Sequence, residues 1–517
     1  MKVNQLKLGA FLSYVNIFFL NAINLVFTPY MLRVLGQGEY GLYSLIGSFV
    51  GYLLVLDFGL NNTIVRYVAK FRAEKKRKEE ENFLGMSIVI YSVLAVCVVI
   101  IGVILFCNLK VFFGNSLSSV EFQKARSMFI ILVINIVITL PLNAFPAIMT
   151  GYEVFVFPKI LTILRVILRT AILFILLNLG CGAVEIVILD TLLNIAFMAA
   201  NVVYVFWKLK VRIRLYSFDK PLLIEVFSFS FFVFLNLIVD QVYWRIGQLI
   251  LGVVANTAAV AIFAVGMQLS NYYMQLSTAI SGVFLPKATQ MVVKNASSEE
   301  MNDLMIKTGR IQFVILGFVL YGFLLFGKQF IVLWAGSNYI SAWSIAVCVM
   351  VPLTVPLFQN VGLSILQAKN KHAFRSIMYL IIAVANVIVS FIASRRFGPV
   401  GAALGTSFSL IIGNIVIINL YYHFVIGLNI KRFFKELLNK ISIAMILIVL
   451  VGYFINMIPG SGWINLVLKC IIYAIDYAFF MYLIGFNDYE KKLICSPVAV
   501  ILGKLGLKKI QRNEVVS

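Results

Sequence analysis

The sequence predicts an all-α polytopic membrane protein of about fourteen transmembrane helices, and three observations carry that expectation. Hydrophobic residues make up 62% of the 517 residues and charged residues only 12%, roughly half the charged share of soluble domains; mean hydropathy is +0.99. The apolar residues come in runs of about 20, the length a helix needs to cross roughly 30 Å of hydrocarbon. The 43 Lys and Arg gather in short segments between those runs, as they do in cytoplasmic loops.

In chain order the runs fall near 8–32, 40–60, 83–107, 127–150, 158–179, 183–207, 222–251, 257–285, 308–331, 343–367, 376–394, 400–423, 440–458 and 463–485. Residues 8–32 lack a small-residue cleavage site after a short apolar core, so they read as a retained first span. The weakest division is Ala255-Asn256-Thr257, between the seventh and eighth runs. With the N-terminus inside, and span-end residues counted with the adjoining segment, 32 Lys and Arg fall inside and 7 outside. One missed span would invert everything after it, so this asymmetry predicts that both termini are cytoplasmic.

The same placement separates function classes. A net charge of +22 could suggest nucleic acid, but the charges sit in inner loops rather than along one stripe, so no nucleic-acid partner is expected. No outer segment exceeds about twenty residues, the longest being 108–126, which leaves no domain for catalysis; the chain reads as no enzyme. Cys97, Cys107, Cys181, Cys348, Cys470 and Cys495 occur singly, without metal-ligand or disulfide spacing. His372 and His423 read as solvated polar residues beside inner loops. A P-loop is missing too, so ATP does not drive this chain by itself.

The stretch 53–82, LLVLDFGLNNTIVRYVAKFRAEKKRKEEEN, organises the rest. Its second half sets Arg66, Lys70, Arg72, Lys75, Lys76, Arg77 and Lys78 against Glu74 and Glu79 to Glu81, and reads as an inner loop. Its first half places Asp57 within an apolar run, where a charge costs about 2.5–3.5 kcal/mol unless it faces protein or water.

A weak repeat recurs at an offset of about 210–218 residues. Phe19-Leu20-Asn21 answers to Phe234-Leu235-Asn236, Val34-Leu35-Gly36 to Ile250-Leu251-Gly252, and Pro141 and Pro146 to Pro352 and Pro356. Six spans per repeat keep both copies in one orientation, the parallel-repeat architecture of transporters. The expected division is a lobe at 1–212, a second at 213–430, two further helices at 431–485 and a basic cytoplasmic tail at 486–517.

Arg165 and Arg169 lie one turn apart on the fifth run. Arg169 falls roughly 16 Å along the helix from Pro158, near mid-bilayer. Two like charges at this spacing repel. Either acids of neighbouring spans pair with them, or an aqueous cavity admits an anion between them. Asp57, Asp190 and Asp240 are the acids on offer. They pair with Arg66, Arg169 or Arg245, or else load a coupling proton or sodium ion. No cofactor is expected beyond such an ion.

Several stretches are similar to a known family: LDFGLNNTIVRYVAKF (56–71), GYEVFVFPKI (151–160), the segment 251–290, FGKQFIVLWAGSNY (326–339) and RRFGPVGAALGTSFS (395–409). They resemble the Wzx-type O-antigen flippases, the polysaccharide-exporter branch of the multidrug/oligosaccharidyl-lipid/polysaccharide superfamily. That resemblance implies two six-helix lobes around a cationic cavity, with two extra helices, working by alternating access in the bacterial cytoplasmic membrane. It implies an undecaprenyl-pyrophosphate-linked glycan as cargo for surface polysaccharide synthesis, membrane lipids and other polysaccharide assembly proteins as partners, and a monomer. By its motif position Arg66 carries over as a pyrophosphate contact; Arg165, Arg169 and Arg245 join it by placement. Asn61, Asn62, Asn236 and Tyr243 are candidate sugar contacts, the plain alternative being interhelical hydrogen bonds of about 0.6 kcal/mol each. The competing functions are a multidrug antiporter of the same superfamily and a membrane-embedded polysaccharide polymerase or ligase.

Overall fold

The computed structural model describes residues 5–492 except 115, 282–283, 295 and 370–372. His372, Cys495 and most of the basic tail lie outside the described residues. Among those described, every regular element is helical, and the chain is a multi-pass membrane protein. Among the described residues ten helices are long and apolar enough to cross a membrane, or eleven with one bent pair.

The chain opens on α1 (Gln5–Leu53), 49 residues long. An unbroken helix of that size would reach roughly 74 Å, more than twice the hydrocarbon thickness. Gly36 interrupts it with φ 73 and ψ 176, between the first two predicted spans; a glycine takes this backbone without a Cβ clash. A 3₁₀ turn (Leu54–Asp57) and left-handed Phe58 and Gly59 then lead into α2 (Leu60–Ala73). The sequence read these residues as loop, yet they form an amphipathic helix. Leu60, Thr63, Ile64, Tyr67, Val68 and Phe71 are buried at helical spacing, while Arg66 and Lys70 stay exposed.

Next come α3 (Arg77–Phe113), α4 (Ser119–Leu142) and α5 (Ala144–Gly151). Ser118 and Glu121 form a reciprocal capping box at the start of α4, which satisfies donors the first turn leaves open. Pro141 and Pro146 flank the α4–α5 break, since each lacks the N–H a continuing helix needs. A hairpin of α6 (Val156–Asn178) and α7 (Ala183–Trp207) follows, and an extended stretch leads to α8 (Lys220–Val254) and α9 (Thr257–Ser281).

The remainder holds α10 (Leu285–Val293), α11 (Ser298–Trp334), α12 (Ser341–Phe358) and α13 (Asn360–Ala368). Pro352 and Pro356 lie in α12 just before its junction with α13, so a proline-bearing helix followed by a short one occurs twice in the chain. After α14 (Ala373–Ser409) the helical run continues through π-helical turns and α15 (Ile418–Tyr421) to α16 (Ile430–Leu438), α17 (Ile441–Asn456) and α18 (Trp463–Phe480).

The shortfall against the predicted fourteen has a location. α1 and α14 each run through a non-helical glycine, Gly36 and Gly398. α9 carries Gln268, Ser270, Asn271, Gln275 and Ser277 and is absent from the apolar set, while α16 and α17 meet at 44°.

The described residues pack as two units: those within Met1–Leu269, Ser344–Val349 and Ala373–Leu410, and those within Ser270–Trp343, Met350–His372 and Ile411–Ser517. In the first, Gly41 permits the closest helix approach: a Cβ there would sit 1.8 Å from the Thr257 carbonyl oxygen. In the second, α11, α17 and α18 bury Phe326, Ile441, Met445, Ile448, Tyr473 and Tyr477 together. Tyr473 and Tyr477 donate to the carbonyls of Phe318 and Val314 at 2.9 and 2.6 Å. Lys469 is buried there, donating to Gln329 Oε1 and the Asn456 carbonyl.

Candidate functional site

The α6–α7 hairpin places the candidate site. Arg165 and Asn194 each lie four residues farther from its turn than Arg169 and Asp190, so the antiparallel packing that joins one pair also joins the other. Arg169 Nε donates to Asp190 Oδ1 at 2.5 Å and Nη2 to Oδ2 at 2.9 Å. This is the planar fork a guanidinium offers a carboxylate. Tyr43 of α1 closes the triangle, donating to Asp190 Oδ2 at 3.1 Å and accepting from Arg169 Nη2 at 3.3 Å. Arg169 thus has the buried acid that one reading of the sequence offered.

Arg165 has a neutral partner. Its Nη1 donates to Asn194 Oδ1 at 2.9 Å. Asn194 in turn donates to Asn135 Oδ1 at 2.8 Å and Thr139 Oγ1 at 2.7 Å on α4. Arg245, on α8, reaches the same half of α1: Nη1 approaches the Gly47 carbonyl at 3.4 Å, and a Cβ on Gly51 would touch its side chain at 3.0 Å. Tyr52 and Tyr43 are the titratable groups within electrostatic reach of Arg245. Arg165 and Arg169 thus share one carboxylate, Asp190, while Arg245 lies exposed beside the same stretch of α1 with Tyr43 and Tyr52 as neighbours, all within the first unit.

The other candidates lie apart from this cluster. Asp57, at the end of the 3₁₀ turn, has Tyr91, Asn143 and the Asn61 backbone as polar neighbours. No hydrogen bond of good geometry reaches its buried Oδ1, nor the buried hydroxyl of Tyr91. Arg66 lies exposed on α2, its guanidinium 5.9 Å from the Tyr67 ring. Asn61 is half-buried, Asn62 and Asn236 exposed, and Thr63 and Ser230 join α2 to α8 by a 3.0 Å hydrogen bond. Asp240 is exposed on α8, with Arg375 of α14 as its charged neighbour. Tyr243 is buried 6.1 Å from the Tyr379 ring, over which Arg375 stacks at 4.6 Å.

Sequence reasoning missed Tyr43, Asn194, Arg375 and Tyr379. Asn194 was accessible through hairpin symmetry about the α6–α7 turn. Tyr43 and the α8–α14 pair depend on packing between distant segments, for which the sequence carries no local signal. No group of three or more His, Cys, Asp and Glu fit to hold a metal occurs among the described residues.

Comparison with known proteins agrees with this architecture. A family model described as "Polysaccharide biosynthesis protein" matches residues 7–292. The membrane protein EpsK of Bacillus subtilis is 21% identical over 497 residues, covering 93% of this chain and 95% of its own length. The probable flippase AglR of Haloferax volcanii is 22% identical over 403 residues, covering 76% of this chain and 79% of its own. Among solved structures, the lipid II flippase MurJ in an inward closed conformation matches with a TM-score of 0.73 at 17% identity, covering 93% of this chain and 99% of MurJ. At that identity the likeness speaks for the fold. The family match takes in more than half of the residues, and the chain belongs to the polysaccharide biosynthesis protein family.

Proposed function

We infer that this chain is a flippase whose cargo is a polyprenyl-pyrophosphate-linked oligosaccharide. It moves the head group across the cytoplasmic membrane by alternating access between two six-helix lobes, with both termini in the cytoplasm. The observation that carries the reading is the excess of guanidinium over carboxylate: Arg165 and Arg169 share Asp190, and Arg245 beside the same stretch of α1 meets only a carbonyl among the described residues. Two guanidinium groups held only by neutral oxygens, in apolar helices, are stable beside an anion and costly without one. Pyrophosphate suits them because guanidinium binds phosphate oxygens bidentately. The polyprenyl tail can stay in lipid, so only the head needs a polar path. The relatives named as flippases support the same class of transport. A site for cationic drugs would need the opposite charge balance, which sets the multidrug antiporter aside.

In cells that make a surface polysaccharide, removing the protein should leave lipid-linked glycan on the inner leaflet. Supplying the wild type should clear it. The double variant Arg165→Ala with Arg245→Ala should reach normal membrane abundance and still leave the glycan in place. Clearance by that variant at the wild-type rate would rule out the cationic cluster as the cargo site.

Asp57 is the best placed of the three acids to bind a coupling proton or sodium ion, because Asp190 is engaged by Arg169 and Asp240 is exposed near Arg375. In proteoliposomes under an imposed gradient, Asp57→Asn should flip cargo at one rate whatever the gradient. Gradient dependence undiminished in Asp57→Asn would assign coupling elsewhere.

A further inference from the structure

A second basic site lies in the first unit, away from the arginine cluster. A cavity of about 460 Å³ opens between the α2–α3 turn, the residues after α5 and the extended stretch after α7. Arg72, Lys75, Arg77, Lys210 and Arg212 line it, with Glu80 and Glu81 as the acids. Both carboxylates are buried and already engaged. Tyr152 donates to Glu80 Oε1 at 2.7 Å, Tyr216 donates to Glu81 Oε2 at 2.8 Å, and Arg77 pairs with Glu81 at 3.4 Å. Arg72 lies 3.9 Å over the Tyr152 ring and donates to the Gly151 carbonyl. Lys75, Lys210 and Arg212 make no ion pair with any described residue.

The cavity is built rather than incidental. Asn82 fastens the stretch after α7 by accepting from the backbone N–H groups of Tyr216 and Ser217 at 2.7 and 3.0 Å and donating to the Ser217 carbonyl. Of the five described non-glycine residues with positive φ, Lys75 and Lys210 line the cavity and Glu153 adjoins Tyr152. Such strained backbone persists where surrounding structure enforces it, and it concentrates at binding sites. Beside the cavity Trp207, Tyr216 and Phe218 are exposed, Trp207 at 82%. Exposed Trp and Tyr, with an apolar ring and a polar edge, mark the membrane–water boundary.

We propose that this cavity binds the phosphate headgroup of an anionic phospholipid, on the face that the charge asymmetry predicts to be cytoplasmic. Three unpaired cations and a stacked guanidinium match a phosphodiester. The exposed aromatics put the opening at headgroup depth, where anionic lipids of the inner leaflet meet basic pockets. The site is separate from the arginine cluster, so it does not depend on which cargo is moved.

The test is lipid binding to the purified full-length protein by native mass spectrometry, titrating phosphatidylglycerol against phosphatidylcholine. Wild type should retain phosphatidylglycerol in preference. Changing Lys75, Lys210 and Arg212 together to Ala should weaken that retention at least about tenfold, as the loss of three charges near a lipid surface implies. The same lipid bound equally by wild type and a monodisperse triple variant would overturn the proposal. So would displacement of the lipid by millimolar inorganic pyrophosphate, which would mean a soluble phosphate is the ligand. Should the triple variant aggregate, Lys210→Gln alone should weaken binding severalfold, and unchanged binding there would count equally against the site. Arg169→Ala with Asp190→Ala, altered only in the other cluster, should bind phosphatidylglycerol as wild type does.

Discussion

Arg169→Ala should lower the amount of protein in the membrane before any effect on transport is considered. The change leaves the Asp190 carboxylate with the Tyr43 hydroxyl as its hydrogen-bond donor and only the more distant Arg165 as a cation within reach. Uncompensated buried charges of this kind cost about 3–5 kcal/mol. The lower end applies here, because the Arg169 and Asp190 side chains keep 25% and 21% of their surface accessible. Removing Asp190 as well, as Arg169→Ala with Asp190→Ala, should restore abundance, since no charge is then stranded. Export measured in that double variant isolates the transport role: restored abundance without export makes Arg169 a cargo contact, and restored export makes the pair structural. Arg169→Lys keeps the charge but loses the fork and should fall between wild type and Ala in both readouts. Normal abundance and normal export in Arg169→Ala would remove the residue from either role.

Much of this arrangement was open to reading before any coordinates. Apolar runs of membrane-crossing length located the helices because lipid admits no unsatisfied backbone. Gly36 and Gly398 break α1 and α14 for a steric reason intrinsic to glycine, though no sequence reading singled them out as breaks. Once Arg169 meets Asp190, hairpin geometry brings Arg165 level with Asn194, each four residues farther from the turn. Other features were hidden by the very signal that revealed the topology. The basic residues of 61–82 suggested a loop, and masked the buried series Leu60, Thr63, Ile64, Tyr67, Val68 and Phe71 that makes α2 a helix. Tyr43 joined the site only because α1 packs against the α6–α7 hairpin, a contact set by the whole unit. Arg310 looked like one more inner-loop cation; nothing near it in sequence announces Glu490, its partner 180 residues away.

Loss of the Arg310 guanidinium is expected to be the most damaging single change outside the arginine cluster. The side chain is 7% exposed, and its partner Glu490 is 5% exposed. Nε and Nη2 grip the Glu490 carboxylate at 2.6 and 3.0 Å, and Nη2 also donates to the Gly485 carbonyl at 3.0 Å. Nη1 meets the carbonyls of Glu436 and Asn439 at 2.7 and 3.2 Å. Those carbonyls lie at the C-terminal end of α16, where the helix leaves acceptors unsatisfied and a positive charge is favourable. One residue of α11 thus caps α16 and anchors the segment after α18. Arg310→Met fits the space but strands a buried carboxylate and several carbonyls, so about 3–5 kcal/mol of stability should be lost. Arg310→Lys keeps the charge without the planar fork and should lose less. Combining Arg310→Met with Glu490→Leu should recover much of the loss, because a buried ion pair replaced by apolar groups is often close to neutral. Thermal unfolding of the purified protein, with protease cleavage around 486–492 as the local readout, measures both effects. Arg310→Met melting at the wild-type temperature with that segment still protected would mean the bonds from α11 hold neither α16 nor the end of α18 in place.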